Sequence, residues 1–234
     1  MLCGRPHWGA NNRLKELFMK RKITYLPFLL CFLLFSCTGD IKISIYTRDL
    51  SDVASAKENV IYTNVNLIAE SLKDENDIEF LRNNLNGFSN EQFVTYNYSD
   101  SLSFDIKIPI IKNGTDLDFS KDLLLLIAVN NNGETLYYLK YNKELFSRIN
   151  NYFYTTHYQN IDLDKFKIKL EINNDERKNV LFTSYSCYVN GKSYPFSHDE
   201  TLIERDRISI EVSEIFSKYI SSMDNTDYPL FSIK

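Results

Sequence analysis

Regular alternation of apolar and polar residues dominates the chain after residue 40. Ile41, Ile43 and Ile45 alternate with Lys42 and Ser44. The same period of two recurs over residues 61–69, 102–108 and 166–172. Because successive side chains of a strand point to opposite faces, this period predicts β-strands with one buried face. Residues 123–129 are apolar throughout, which predicts a strand that is covered on both faces.

Asparagine-glycine pairs mark the turns between these strands. Four of the five glycines after residue 36 follow asparagine, at Asn86-Gly87, Asn113-Gly114, Asn132-Gly133 and Asn190-Gly191. Asn-Gly between apolar runs is typical of type I′ turns, whose two central residues both need positive φ. We therefore expect β-hairpins over residues 123–141 and 182–196.

Three segments have helical periodicity instead. Residues 77–86 place Ile78, Leu81 and Leu85 on one face, with Asn76 as the N-cap and Gly87 as the stop. Residues 143–153 and 213–222 also carry apolar stripes at helical spacing. The expected fold class is α+β and β-rich: an antiparallel sheet or sandwich built of hairpins, with about three short covering helices.

A short apolar run precedes these elements. Lys20, Arg21 and Lys22 are followed by an oily stretch over residues 25–35, which contains a proline and ends in Ser36-Cys37. A transmembrane helix needs about 20 apolar residues, so this run of about a dozen is too short to span a bilayer. The order of basic residues, apolar run and small-residue site is that of a signal peptide.

The residues Leu34-Phe35-Ser36-Cys37 resemble the lipobox of bacterial lipoproteins. Phe35 departs from the small or aliphatic residue that is usual at its position. In this respect the motif resembles the looser lipoboxes of spirochaetes. The resemblance implies cleavage before Cys37 and lipidation of its thiol, with palmitate-like acyl chains that anchor the protein to a membrane. An ordinary signal peptide with an incidental cysteine is the alternative.

This resemblance sets the expected organisation and location of the chain. Residues 1–18 are interpreted as mis-annotated upstream translation, since Lys15-Glu16 can be encoded by a ribosome-binding site just before Met19. A long basic leader is the alternative. Residues 19–36 are the lipoprotein signal peptide, and residues 37–234 form a single β-rich extracytoplasmic domain tethered through Cys37. We expect it at a bacterial membrane surface, on the outer membrane or cell surface of a diderm.

The charge of residues 37–234 restricts their possible binding partners, and their cysteine content restricts their possible disulfides. These residues carry 21 basic and 30 acidic side chains, a formal net charge of −9, which repels phosphate backbones and excludes nucleic acid as a partner. Once Cys37 is lipidated, Cys187 is the one thiol left, so no intramolecular disulfide is possible. Cys187 lies in a strand-like run and is expected to be a buried small hydrophobe.

Reaction motifs are not found in the sequence. It has no glycine-rich phosphate loop and no G-x-S-x-G elbow, and neither His157 nor His198 has a second ligand at metal spacing. We therefore predict no catalytic residue, metal or cofactor.

The most binding-like stretch is residues 150–160. Tyr152, Tyr154, His157 and Tyr158 are its candidate binding face, since tyrosine combines an apolar ring with a polar tip. The alternative is that tyrosine, of which residues 37–234 contain fifteen, is simply the core aromatic of this domain. We expect a binding or interaction module for a protein, glycan or envelope component. A lipid-anchored envelope hydrolase with a carboxylate-based site is the alternative.

Overall fold

The computed structural model describes residues 36–70, 72, 74–222 and 228–234, with side chains except at 36–38 and 163–164. Cys37–Lys234 form one compact unit. The described helices are α1 (Thr47–Ala54), α2 (Glu75–Asn84), α3 (Lys143–His157) and α4 (Glu214–Ser222). The described strands are β1 (Ser36–Tyr46), β2 (Val60–Glu70), β3 (Ser89–Tyr96), β4 (Ser99–Lys112), β5 (Leu124–Asn131), β6 (Glu134–Tyr141), β7 (Asn160–Asn173), β8 (Val180–Val189), β9 (Lys192–Leu202), β10 (Arg207–Val212) and β11 (Phe231–Ile233).

Nine of the strands close into a mixed β-barrel. Around the barrel the strand order is β10-β7-β1-β2-β4-β5-β6-β11-β8, and β10 pairs with β8 as well as with β7, which closes the circle. β3 and β9 lie outside it, on β4 and β8. β4 pairs with β5 in parallel, whereas β5 with β6 and β8 with β9 pair antiparallel, so the barrel is mixed.

The expected antiparallel sheet or sandwich is therefore wrong: the sheet is a closed barrel with four short helices. Alternation along a strand shows that one face is buried, but the burying partner can be a second sheet or the far wall of a barrel. Closure depends on β10, a strand of six residues that pairs along both of its edges. No local pattern in the sequence of β10 shows whether it pairs with one neighbouring strand or with two.

Side chains fill the barrel interior. The alternating apolar residues of β1, β2, β4 and β7 are buried, as their period of two predicted. An aromatic stack closes one side of this core, with Phe231 between Tyr137 at 4.7 Å and Phe182 at 5.2 Å from ring centre to ring centre. Three residues of β11 thus join β6 to β8, by strand pairing along both edges and by this buried ring.

Helices α1, α2 and α3 cover the two ends of β1. α1 follows the last residue of β1, and its Leu50 accepts a hydrogen bond of 3.0 Å from the Tyr137 hydroxyl. At the other end of β1, Ile41 faces a small apolar cavity of about 50 Å³ that α2 and α3 cover with side chains such as Leu81 and Phe153. One end of the strand is therefore closed by α1 and the other by α2 and α3.

Local predictions agree with most element boundaries. The hairpins at Asn132-Gly133 and Asn190-Gly191 are confirmed by the registers of β5 with β6 and of β8 with β9. The first predicted helix begins two residues earlier than expected, and Asp74, not Asn76, is its N-cap. α1 was not predicted. In the described part of the chain, no helix is long and apolar enough to cross a membrane.

Candidate functional site

The predicted tyrosine face divides into an inward and an outward pair. Tyr152 and His157 both turn toward Asp77 of α2, whose side chain is 2% exposed. The Tyr152 hydroxyl donates to Asp77 Oδ1 at 3.2 Å, and His157 Nε2 lies 2.7 Å from the same oxygen. Tyr154 and Tyr158 point outward, with exposures of 52% and 86%. Half of the predicted face is therefore part of the α2–α3 contact.

Aromatic packing surrounds this buried carboxylate. Phe80 stacks on Tyr152 with ring centres 3.7 Å apart, and Phe153 packs on His157 at 5.9 Å. Desolvation and the neighbouring Asp77 raise the pKa of Tyr152, so its hydroxyl stays protonated and donates. These contacts join two helices that are far apart in sequence.

A histidine held by a carboxylate also occurs in catalytic triads, where it activates a nucleophile. In the described residues, however, the hydrogen-bond partner of the His157 ring is Asp77, and no serine, threonine or cysteine reaches the ring. The geometry is that of a structural clamp, in which Asp77 receives one bond from each of two α3 side chains.

A polar cleft of about 320 Å³ lies beside α1, and we call it the α1 cleft. α1, the β5–β6 turn, β6, the segment before β8 and the C-terminal residues all contribute to it. Its polar lining includes Ser51, Ser55, Thr135, Glu176, Lys178 and Lys234. The volume lies within the range of small-ligand sites, and hydroxyl, carboxylate and ammonium groups converge on it.

Hydrogen bonds hold the walls of the α1 cleft in place. Thr47 donates to Asn174 Oδ1 at 3.0 Å, and the Asn174 amide donates to the carbonyls of Lys178 and Leu202 at 2.9 Å. Asn130 donates to the Ala54 carbonyl at the end of α1. The cleft is therefore formed by segments that are fixed to one another before any ligand arrives.

Ion pairs balance the charges of the α1 cleft. Lys178 lies 3.0 Å from Glu176, and Lys234 lies 3.0 Å from Glu134. All four side chains stay partly exposed, so a ligand can compete for them. The cleft offers charges of both signs rather than a field of one sign.

Two carboxylates with a raised pKa lie elsewhere. Burial raises the pKa of Asp49 on α1, with further contributions from Asp175 and Asp52. Burial also raises the pKa of Asp122, which accepts a hydrogen bond from Asn86. Neither carboxylate lines the α1 cleft. They do not form a pair that could divide acid and base roles.

Among the described residues, neither the cysteine nor the potential metal ligands form a reactive centre. Cys187 is a free thiol and buried, as predicted, and burial raises its pKa, which disfavours the nucleophilic thiolate. In the described ranges no group of three His, Cys, Asp or Glu could hold a metal ion. The backbone of Cys37 lies in β1, whereas its side chain and residues 1–35 lie outside what the structure describes, so the predicted signal peptide (residues 19–36) falls almost entirely outside it.

Sequence reasoning missed the residues of the α1 cleft. They come from four separate stretches of the chain, residues 47–55, 130–137, 176–180 and 233–234, and none of them belongs to a motif of fixed spacing. Asp77 was also missed, although two of the residues it binds were singled out. A buried carboxylate in the first turn of a helix cannot be told from a solvated one by its sequence context.

Residues 39–234 match the family model DUF7424, a domain of unknown function, and the chain belongs to this family. No curated protein and no solved structure matches the chain. The matched region begins two residues after Cys37, so it comprises the barrel and its helices.

Proposed function

We propose that this DUF7424 member is a lipid-anchored bacterial envelope protein that binds a polar partner, either a glycan or a peptide segment, in the α1 cleft. The observation that carries the proposal is the position of the cleft relative to Cys37. Cys37 is at the start of β1, and α1 follows its last residue. At about 3.3 Å per residue, the cleft lies roughly 30 Å along the strand from the anchor.

This arrangement suits a receptor that is tethered at one end. No flexible segment separates Cys37 from β1, so a lipid on its thiol would hold the barrel directly at the bilayer surface. The α1 cleft is then displaced from the headgroups by the length of the strand and stays accessible to envelope polymers.

The chemistry of the cleft favours a hydroxyl-rich or zwitterionic ligand. Ser51, Ser55 and Thr135 can donate and accept hydrogen bonds, while Glu176 and Lys178 offer both charges. Sugar hydroxyls and peptide groups need this mixture. The hydrolase alternative finds no comparable support among the described residues, since the carboxylates with a raised pKa are separate and outside the cleft.

The anchor is tested by metabolic labelling. Cells that express the full chain are grown with an alkyne fatty acid, and the protein is then conjugated to a fluorophore. We expect label on the wild type and none on Cys37→Ala, because the thiol that receives the diacylglyceryl group is gone. Cys187→Ala, the buried thiol, is the matched control and should keep its label. Equal labelling of wild type and Cys37→Ala would contradict the anchor.

The cleft is tested by filling it. Ser51→Trp places an indole in the α1 cleft, and Ser193→Trp places one on the exposed surface of β9 as the control. Binding is measured by co-sedimentation with purified peptidoglycan sacculi and by photo-crosslinking in cells from a benzophenone amino acid at Ser55. We expect Ser51→Trp to lose binding to sacculi or the discrete crosslinked adduct, and Ser193→Trp to keep it. Equal behaviour of the two variants, or no binding in both assays, would overturn the proposal.

A further inference from the structure

Two of the most exposed large side chains occupy backbone positions that usually favour glycine. Tyr98 is 104% exposed with φ +64°, and Tyr158 is 86% exposed with φ +54°. Tyr98 follows Asn97 in the two-residue β3–β4 turn, where Asn-Gly is the favoured pair. Tyr158 is the left-handed C-cap of α3, another glycine position. Each tyrosine occupies its turn against the steric preference of the backbone, and neither ring is buried.

Both turns lie at the end of β1 where Cys37 is. The Tyr96 hydroxyl, two residues before Tyr98, donates to Asp40 Oδ1 at 2.7 Å. The pKa of Tyr96 is raised to about 12, first by burial and then by this bond, so the hydroxyl stays a donor. The β3–β4 turn is thereby tied to the first residues of β1.

Tyr158 reaches the same end through β7. A Cβ atom on Gly39 would lie 2.7 Å from the ring of Phe166, whereas Asn173 donates to the Ile45 carbonyl at 3.5 Å. The middle of β7, at Phe166, thus lies beside the start of β1, and the last residue of β7 lies beside the end of β1, so the two strands run in the same direction. Tyr158 precedes β7 and therefore lies beyond the start of β1.

The strand that carries Cys37 lies between the two tyrosines in the sheet. β7 is on one side of β1, and β2 followed by β4 is on the other. We propose that Tyr98 and Tyr158 insert into the headgroup region of a lipid bilayer on either side of the Cys37 anchor. Tyrosine suits this region because its ring enters the apolar boundary while its hydroxyl stays hydrated. The inference rests on the proposed lipid anchor.

A lipid surface fits these tyrosines better than a protein partner does. They project from two separate turns around the predicted attachment point, where a bilayer is the nearest surface to a protein tethered without a linker. The formal charge of −9 on residues 37–234 opposes binding to anionic lipids. Zwitterionic phosphatidylcholine is therefore the chosen bilayer.

Tryptophan reporters can test the contact, because Trp8 is the only tryptophan in the sequence. In a Trp8→Phe background, Tyr98→Trp, Tyr158→Trp and the control Tyr46→Trp are each expressed as the full chain, purified from membranes and reconstituted into phosphatidylcholine vesicles. Tyr46 is exposed and lies at the opposite end of β1. We expect lipids brominated on their acyl chains to quench fluorescence from positions 98 and 158 and to leave position 46 unchanged. Equal quenching at all three positions, or none at 98 and 158, would overturn the inference.

The experiment distinguishes failure of the tyrosine contact from failure of the lipid anchor. The intact mass of each purified protein shows whether Cys37 carries lipid, and quenching is read independently of that mass. A lipidated protein without quenching would refute the tyrosine contact alone, whereas an unmodified Cys37 would refute the anchor.

Glycine variants provide a second measurement. Tyr98→Gly and Tyr158→Gly relieve the positive φ, so we expect melting temperatures at or above that of the wild type. Each is also combined with Cys37→Ala, which removes the acyl chains, and these double variants should show weaker retention on vesicles than Cys37→Ala alone. A fall in melting temperature with unchanged retention would show that the rings serve the fold and not the membrane.

Discussion

Phe231→Ala is expected to lower the free energy of unfolding by about 4 kcal/mol. The ring is fully buried and packs between Tyr137 and Phe182, so its removal leaves a cavity that two large neighbours cannot fill without moving. Because β11 is three residues long, the ring is also the main contact of that strand with the core. A weakened β11 would open the barrel between β6 and β8.

Urea unfolding followed by circular dichroism measures this effect. Phe196→Ala removes the same ring from β9, where it is 84% exposed, and should change the free energy of unfolding by less than about 0.5 kcal/mol. If both substitutions shift the midpoint of unfolding equally, the aromatic stack around Phe231 does not contribute to stability in the way that its burial indicates. A lower m-value for Phe231→Ala would show that the native barrel already opens at this strand.

Strands and hairpins were accessible from the sequence because their signals are local. The alternation at Ile41, Ile43 and Ile45 and the turn at Asn132-Gly133 depend on backbone geometry within a few residues. α1 was missed because it is eight residues long and directly follows a strand, with Tyr46 giving no side-chain cap. Its helical conformation is supported by tertiary contacts, such as the bond from Tyr137 to Leu50.

Closure of the barrel and the α1 cleft depend on contacts between distant segments. β10 pairs with both β7 and β8, and Thr47 contacts Asn174 across 127 positions of the chain. Such pairings follow from the packing of the whole core, and a single sequence carries no direct sign of them. The tyrosine-rich segment was found through its composition, but its division into clamp and exposed rings required the position of Asp77.

Asp77→Ala is expected to cost about 3 kcal/mol of stability, because it removes the acceptor shared by Tyr152 and His157. The Tyr152 hydroxyl would be left without this partner beneath the stacked Phe80 ring. Asp77→Asn keeps the shape and one acceptor oxygen, so its expected cost is smaller, about 1 kcal/mol. Glu75→Gln, an exposed carboxylate in the same first turn, is the matched control and should have little effect.

A double-mutant cycle shows whether the cost comes from the clamp. The free energies of unfolding are measured for Asp77→Asn, His157→Ala and the double variant at pH 7. If the two side chains act through their contact of 2.7 Å, the double variant loses less than the sum of the single losses, with a coupling of about 1 kcal/mol. Additive losses would mean that Asp77 stabilises α2 by itself, through its place in the first turn, and that α3 is held by its apolar stripe alone. Because Tyr158 is the C-cap of α3 and follows His157 directly, coupling would also indicate that the clamp holds the exposed tyrosine in position.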